Sequence, residues 1–156
     1  QNFKDQYEMK TSAQTGFTLT ELLVVLSVVA ILATIAVPNF KSLLVTNELN
    51  VAQENFVQIL NKARNLAMGR STFATVSIVG NVATLTLADG STTSTVTVGD
   101  QLSLNGNIDY VFNPTGLATI TSDLSLTSTV LSAPGISGIT PRTISVSATG
   151  VVHVSR

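Results

Sequence analysis

The chain has 156 residues, a net charge of −1 and only 11% charged residues. This length fits one globular domain with an additional segment, and the low, balanced charge provides no strong field for binding nucleic acid or anionic lipid. The chain has no cysteine and one histidine, which excludes disulfides and thiolate metal sites and leaves few side chains for catalysis. We therefore expect no enzymatic activity, no metal and no cofactor.

An uncharged, strongly apolar run extends from Leu22 to Phe40. As an α-helix, residues 17–40 would be about 36 Å long, enough to cross a hydrocarbon core of about 30 Å. The run therefore predicts a membrane-spanning helix. Glu21 lies at its start, and an acidic side chain at the centre of a span costs about 2.5–3.5 kcal/mol. We therefore expect Glu21 to have a partner and a function.

A short polar segment that ends in Gly16, followed by Phe17 and the apolar helix, resembles the type IV prepilin signal. The resemblance implies that a prepilin peptidase cuts between Gly16 and Phe17 and N-methylates Phe17. Glu21 would be the fifth residue of the mature chain and would neutralise the N-terminal amine of an adjacent subunit during assembly. Pro38 would be the helix-kinking proline, and residues 1–16 would be a leader peptide that is removed.

The start of the leader and the nature of the apolar run each have alternatives. Met9 is the first methionine, so residues 1–8 would be an upstream extension. An ordinary secretory signal peptide could be cleaved after Thr34-Ile35-Ala36, but it would not account for Glu21 or for the helix beyond the cut. A plain membrane anchor would give Glu21 no purpose.

After Pro38 the apolar residues recur at spacings of three to five, which is typical of an amphipathic helix. They are Leu44, Leu49, Ala52, Phe56, Ile59, Leu60, Ala63 and Leu66. Pro38 should bend the helix rather than end it, whereas Gly69 suits the left-handed position just after a helix. The sequence thus predicts one helix over residues 17–68, with a transmembrane and assembly half at 17–40 and an amphipathic half at 41–69.

Residues 70–156 show a β-type pattern, with serine and threonine making up about a third of the segment. Short runs of alternating apolar and polar residues are separated by turn signals, which is typical of antiparallel β structure. The predicted strands are Ala74–Ile78, Ala83–Leu87, Val96–Val98, Leu102–Leu104, Ile108–Phe112, Leu124–Leu126, Val130–Leu131, Ile144–Ala148 and Val152–Val154. The predicted fold class is α+β, a long N-terminal helix packed on an antiparallel β-sheet head. The resemblance to type IV prepilins implies that this fold is pilin-like and that the head faces the periplasm.

Three features of residues 63–154 resemble the GspH/FimT family, which comprises minor pilins of type IV pili and the H pseudopilin of type II secretion. They are the helix end Ala63–Ala67, the turn Phe112–Gly116 and the closing hairpin Arg142–Val154. The resemblance implies a structural subunit that assembles into or primes a type IV pilus, in adhesion, twitching or DNA uptake. Pseudopilin H of a type II secretion system is the alternative within this class.

Some FimT members bind DNA through a Gly-Arg-x-Arg stretch in the closing hairpin. The corresponding positions here are Gly150–His153, where valine and histidine replace the two arginines. Arg142, His153 and Arg156 are the remaining weak candidates for DNA contact, and phosphate binding generally needs several such contacts. We therefore expect a filament subunit rather than a DNA receptor.

The resemblance also implies partners and a location. The partners would be the prepilin peptidase, other major and minor pilins or pseudopilins, the inner-membrane assembly platform and membrane lipid. The chain would cross the inner membrane once, with its N-terminus cytoplasmic and its head periplasmic, and would then enter a pilus or pseudopilus.

Overall fold

A computed structural model describes residues 16–122 and 128–156, with only the backbone at Pro38 and Ser122. It contains the helix α1, Leu19–Gly69, followed by antiparallel strands. The strands are β1 Ala74–Val79, β2 Val82–Leu87, β3 Thr92–Thr97, β4 Ser103–Leu104, β5 Ile108–Phe112, β6 Ala118–Ser122, β7 Ser128–Ser132, β8 Arg142–Val146 and β9 Val152–Ser155. The helix-then-strands order of the predicted α+β fold is confirmed.

The helix begins two residues later than predicted, at Leu19. Thr18 caps it, because its Oγ1 accepts a hydrogen bond of 3.2 Å from the backbone N–H of Glu21 and its carbonyl accepts one from Leu22. A threonine in this position satisfies one of the free N–H groups of the first turn.

The helix ends at Gly69, one residue beyond the predicted end at Met68, and Gly69 is not the residue in the left-handed conformation. That residue is Ser71, with φ of 50°. Ser71 N–H donates to the Met68 carbonyl and Thr72 N–H donates to the Ala67 carbonyl, which is the Schellman arrangement of hydrogen bonds. The chain therefore continues two residues past Gly69 before it turns away.

The chain divides into two compact units, residues 1–38 and 39–156. In the first unit, the described part of α1 is exposed along its length, and the helix is long and apolar enough to cross a membrane. The hydroxyls of Ser27 and Thr34 donate to the Val24 and Ile31 carbonyls, both at 2.7 Å. These polar side chains are thus satisfied within the helix and suit an apolar environment.

In the second unit, one face of α1 is buried in the core. The buried residues are Val45, Leu49, Ala52, Phe56, Ile59, Leu60, Ala63 and Ala67. The predicted stripe is correct from Leu49 to Ala63 and is wrong at its first position, because Val45 is buried while Leu44 is 54% exposed. Leu66 is only partly buried, and Ala67 takes the last core position.

The head has two antiparallel sheets rather than the single sheet that the sequence predicted. The first sheet has the order β3-β2-β1-β5-β6 and the second has the order β4-β7-β8-β9. Side chains from both sheets and from α1 form one hydrophobic core. The helix therefore covers a two-sheet head.

Strand β6 was not predicted, although Ala118 and Ile120 alternate with threonines in its sequence. It pairs with β5 and forms an edge of the first sheet. The strand predicted over residues 124–126 lies outside the described residues. The other predicted strands correspond to observed strands, and their ends differ by a few residues. Val98 was predicted to lie in a strand, but it is a buried residue directly after the end of β3.

A buried tyrosine connects the two sheets. Tyr110 of β5 is fully buried, and its hydroxyl lies 2.8 Å from Thr129 Oγ1 of β7 and donates to the Ile144 carbonyl of β8 at 3.5 Å. Burial raises the pKa of the Tyr110 phenol, an effect that the hydrogen bond with Thr129 partly offsets. The core thus contains a polar bridge whose hydroxyls are satisfied across the sheets.

Candidate assembly site and closing hairpin

Gly16 and Phe17 precede the helix and are exposed, Phe17 by 85%. A Cβ atom added to Gly16 would meet no atom of the described residues within 4 Å, and the residue does not have a positive φ. The described structure therefore does not require glycine at this position. If glycine is needed here, the reason lies with a partner that binds this segment.

Glu21 lies in the first turn of α1, as the only acidic residue there. Its side chain is exposed and has no hydrogen bond or ion pair within the described part of the chain. A carboxylate in the first turn is stabilised by the positive end of the helix dipole. It is also about one turn from Phe17, so it is well placed to bind a positively charged group near the helix start.

The three features that suggested the GspH/FimT resemblance meet at one place in the head. Arg64 of α1 donates from Nε to the Gly116 carbonyl at 3.2 Å. Gly150, in the turn between β8 and β9, is buried and packs against the same carbonyl and against Arg64, so that a Cβ at Gly150 would overlap the Gly116 oxygen. The Ala118 N–H donates to the Ala148 carbonyl at 3.0 Å and joins the two sheets here.

Asn113 organises the turn that carries Gly116. Its Oδ1 accepts hydrogen bonds from the backbone N–H groups of Thr115 and Leu117, both at 3.0 Å, and from the Thr115 hydroxyl at 2.8 Å. Asparagine side chains commonly stabilise turns in this way. The helix end, the Asn113 turn and the closing hairpin are thus a structural junction between α1 and both sheets.

The closing hairpin forms as predicted, with β8 and β9 paired from Val146 and Val152 to Thr143 and Ser155. His153 and Arg156 are exposed. Arg142 is not: only 7% of it is accessible. Because a phosphate contact requires an accessible cation, the burial of Arg142 argues against its assignment as a DNA-contact candidate.

Arg142 lies in the core because it shares a face of β8 with Ile144 and Val146. Its Nη2 donates to Asn50 Oδ1 of α1 at 3.2 Å, and its Nε has no hydrogen-bond partner among the described residues. The alternation of side chains along a strand is a sequence signal that could have revealed this, since Arg142 is two residues from Ile144. Its contact with Asn50, 92 positions earlier in the chain, has no counterpart in the sequence pattern.

No metal site is present within residues 16–122 and 128–156, where no three His, Asp or Glu side chains form a group that could hold an ion.

A protein-family profile for the prokaryotic N-terminal methylation motif matches residues 11–37. The matched segment includes Gly16, Phe17 and Glu21, and ends one residue before Pro38. No curated protein sequence matches the chain significantly.

Two crystal structures of the type IV minor pilin FimU of Pseudomonas aeruginosa are similar to this chain. One has a TM-score of 0.52 and 17% identity, and covers 69% of this chain and 93% of FimU. The other has a TM-score of 0.53 and 18% identity, and covers 70% of this chain and 90% of FimU. At this level of identity the likeness shows a shared fold.

Proposed function

We propose that this chain, a type IV minor pilin-like protein with a prepilin methylation motif and the pilin fold, is a filament subunit that assembles into or primes a type IV pilus. The observation that carries the proposal is the methylation motif at residues 11–37, which includes the N-terminal part of the long helix in a FimU-like fold. The likeness to structural pilins also supports a non-enzymatic role. An apolar N-terminal helix together with this fold supports membrane anchoring and association with a pilus.

Processing is the first step of the proposed function. A prepilin peptidase removes residues 1–16 and N-methylates Phe17. The accessibility of Gly16 and Phe17 supports this step, because a peptidase must reach the bond between them. The lack of any steric need for glycine at position 16 in the described structure supports a requirement imposed by the enzyme.

Assembly is the second step, and Glu21 is central to it. The apolar half of α1, residues 17–40, is held in the inner membrane until the assembly platform transfers it into a filament of other pilins. Pro38 is the position at which the helix kinks. The unpartnered Glu21 carboxylate binds the N-terminal amine of a neighbouring subunit. Such a pair is strong because both charges lie in apolar surroundings. The head remains on the periplasmic side of the membrane.

Mass spectrometry of the protein purified from its native membrane tests the processing step. The mature chain should begin at N-methylated Phe17, and Gly16→Val should retain the leader. Thr18→Val serves as the matched control, since it changes a neighbouring residue and should still be cleaved. A mature terminus at Val37 would instead support a secretory signal peptide and contradict the proposal.

The DNA-receptor alternative is not favoured by the closing hairpin, where Arg142 is buried and valine and histidine occupy the two arginine positions. The pseudopilin alternative makes a distinct prediction: deletion of the gene would abolish protein secretion and leave surface filaments intact. Loss of filaments, with secretion unchanged, is the result expected for a pilus subunit.

A further inference from the structure

A cavity of about 310 Å³ lies beside the first turns of the amphipathic half of α1. Its volume is at the lower end of the range for small-molecule sites in proteins. The walls come from α1, from the loop between β3 and β4 and from the loop between β7 and β8. The lining residues are Lys41, Leu44, Val45, Glu48, Gln101 and Ile136. A cation and an anion therefore border the same cavity.

The Glu48 carboxylate is packed against the backbone of Gly99. A Cβ at Gly99 would overlap Glu48 Oε1, and Gly99 does not have a positive φ, so glycine at this position leaves the space that the carboxylate occupies. Glu48 is half-buried, yet among the described residues no donor bonds to its carboxylate and no cation pairs with it. Because removing a carboxylate from water without a partner is costly, this position favours a cationic donor from outside the described chain.

Lys41 is exposed and has no ion pair with any residue that the structure describes. It directly follows Phe40, the last residue of the apolar run, so membrane anchoring would place it among the lipid headgroups, where lysine side chains extend from the ends of spans. Glu48 lies about 10 Å further along the helix, away from that run. The phosphate of a phosphoethanolamine lipid is likewise closer to the acyl chains than its ammonium group is.

We propose that this cavity binds the phosphoethanolamine headgroup of a membrane lipid, whose ammonium donates to Glu48 and whose phosphate accepts from the flexible Lys41 side chain. The inference rests on the proposed membrane anchoring of the chain. Leu44 and the partly buried Ile136 provide apolar surface for the glycerol end of the lipid. A glycerol headgroup would leave Glu48 without a cation. A choline headgroup is not favoured, because the lining has no aromatic ring to bind a quaternary ammonium group.

Headgroup specificity can be measured by native mass spectrometry of the full chain, released from micelles that contain equal amounts of phosphatidylethanolamine and phosphatidylglycerol. Wild type should retain phosphatidylethanolamine preferentially. Glu48→Gln should lower the ratio of the two retained lipids about tenfold, the size expected on losing a hydrogen bond to a charged group. Glu54→Gln is the matched control, because Glu54 is an exposed acid of α1 outside the cavity. Equal retention of both lipids by wild type, or the same fall in Glu54→Gln, would overturn the proposal.

The phosphate contact makes a different prediction, because both lipids carry a phosphate. Lys41→Gln should lower the retention of both lipids about threefold and leave their ratio unchanged, since an exposed ion pair is weak. Lys62→Gln, a change of an exposed lysine on α1 outside the cavity, should have no effect. Unchanged retention by Lys41→Gln would overturn the proposed phosphate contact.

Gly99→Ala tests the position of the carboxylate without changing any charge. The added Cβ should displace the end of the Glu48 side chain and lower the ratio of retained lipids, while the melting temperature changes little because that end is flexible. Gly135→Ala, with no neighbour within 4 Å of its added Cβ, should leave the ratio unchanged. A normal ratio in Gly99→Ala would contradict the proposed site.

A titration with soluble O-phosphoethanolamine separates the site from its lipid source. On the ¹⁵N-labelled full chain in micelles of an uncharged detergent, it should shift the Gly99 N–H signal saturably and further than glycerol phosphate does. Equal shifts would overturn the proposal, and binding of the soluble compound without retention of the lipid would overturn the lipid source. If the chain were not anchored in its native membrane, the proposed function would fail, and this titration would still decide whether the site exists.

A photo-crosslinking residue at Gln101, an exposed position in the cavity lining, identifies the occupant in the native membrane. The expected product is an adduct with a phosphoethanolamine lipid. Crosslinks only to a peptide of another subunit would show that Glu48 and Lys41 pair with protein side chains and would overturn the inference.

Discussion

Two roles can be proposed for the acid at Glu21, and they predict different behaviour of mutants. In the first, Glu21 stabilises the helix start that Thr18 caps, through the helix dipole. In the second, its charge binds the amine of a neighbouring subunit. The carboxylate is exposed and has no partner within residues 16–122 and 128–156, which is compatible with both roles. Mutants must therefore change the charge of Glu21 and the Thr18 cap separately.

Glu21→Gln removes the charge and keeps a similar helix propensity. We expect this variant to be cleaved after Gly16 and inserted in the membrane, but depleted from sheared filaments, because the partner's amine would be unpaired in apolar surroundings. Thr18→Ala should cost about 1 kcal/mol of helix stability and still assemble. The measurement is an immunoblot of filament and membrane fractions. Normal assembly of Glu21→Gln would remove the proposed role of the charge.

Gly150 is required by the close packing of two turns. Its φ is 75°, and a Cβ would overlap the Gly116 carbonyl oxygen. Gly150→Ala should therefore lower the free energy of unfolding by about 2–4 kcal/mol, from backbone strain and steric overlap together.

Two other glycines separate these contributions. Gly90 has φ of 81° and nothing within 4 Å of its added Cβ, so Gly90→Ala should cost about 1 kcal/mol from strain alone. Gly135 has neither a positive φ nor a close neighbour, and Gly135→Ala should change stability by less than about 0.5 kcal/mol. Urea unfolding gives all three values. Equal effects at Gly150 and Gly90 would mean that the junction adjusts to the extra atom.

At the scale of the elements, Tyr110 joins β5 of one sheet to β7 and β8 of the other. Tyr110→Phe leaves the buried Thr129 hydroxyl without its partner and should cost about 1–2 kcal/mol. Adding Thr129→Val removes the unsatisfied hydroxyl and should recover part of that loss. A double-mutant cycle by urea unfolding measures the coupling, and a coupling near zero would show that the hydroxyls do not stabilise each other.

The same tyrosine makes stability depend on pH in the alkaline range. Burial raises its pKa in the folded state above the unfolded value, so the folded protein retains the proton more strongly. This contribution is fully present below about pH 10, the unfolded pKa, and is lost as pH rises through the folded pKa. Wild type should therefore lose more stability than Tyr110→Phe between pH 9 and pH 11. Parallel losses in the two proteins would contradict this assignment.

At the scale of the whole molecule, the unit of residues 39–156 contains the buried stripe of α1 and both sheets. A chain of residues 39–156 should therefore be soluble and folded. A chain of residues 70–156 should aggregate, because it exposes the apolar faces that α1 covers. Size-exclusion chromatography and circular dichroism distinguish these outcomes. Similar behaviour of the two chains would show that α1 is not needed to cover the sheets.

Local sequence patterns were sufficient to identify most of the elements. Alternation predicted β1, β2 and β5, and the helical spacing from Leu49 to Ala63 predicted the buried stripe. The pattern could not choose between Leu44 and Val45, which are adjacent and both apolar. It also missed β6, where the threonine-rich run of Ala118–Ser122 has few large apolar residues.

Sequence by itself determined the features that depend on neighbouring residues: the prepilin-type signal around Gly16 and Glu21, the apolar span and the period of each strand. Tertiary structure decided the division into two sheets, the turn to Ser71 after Gly69 and the meeting of Arg64, Gly116 and Gly150. The reason is physical, because periodicity shows which face of an element is apolar but does not show which distant element covers it. Arg142 depends on both the local sequence pattern and the tertiary structure. Alternation along β8 places it on the inward face, and only the fold brings it to Asn50.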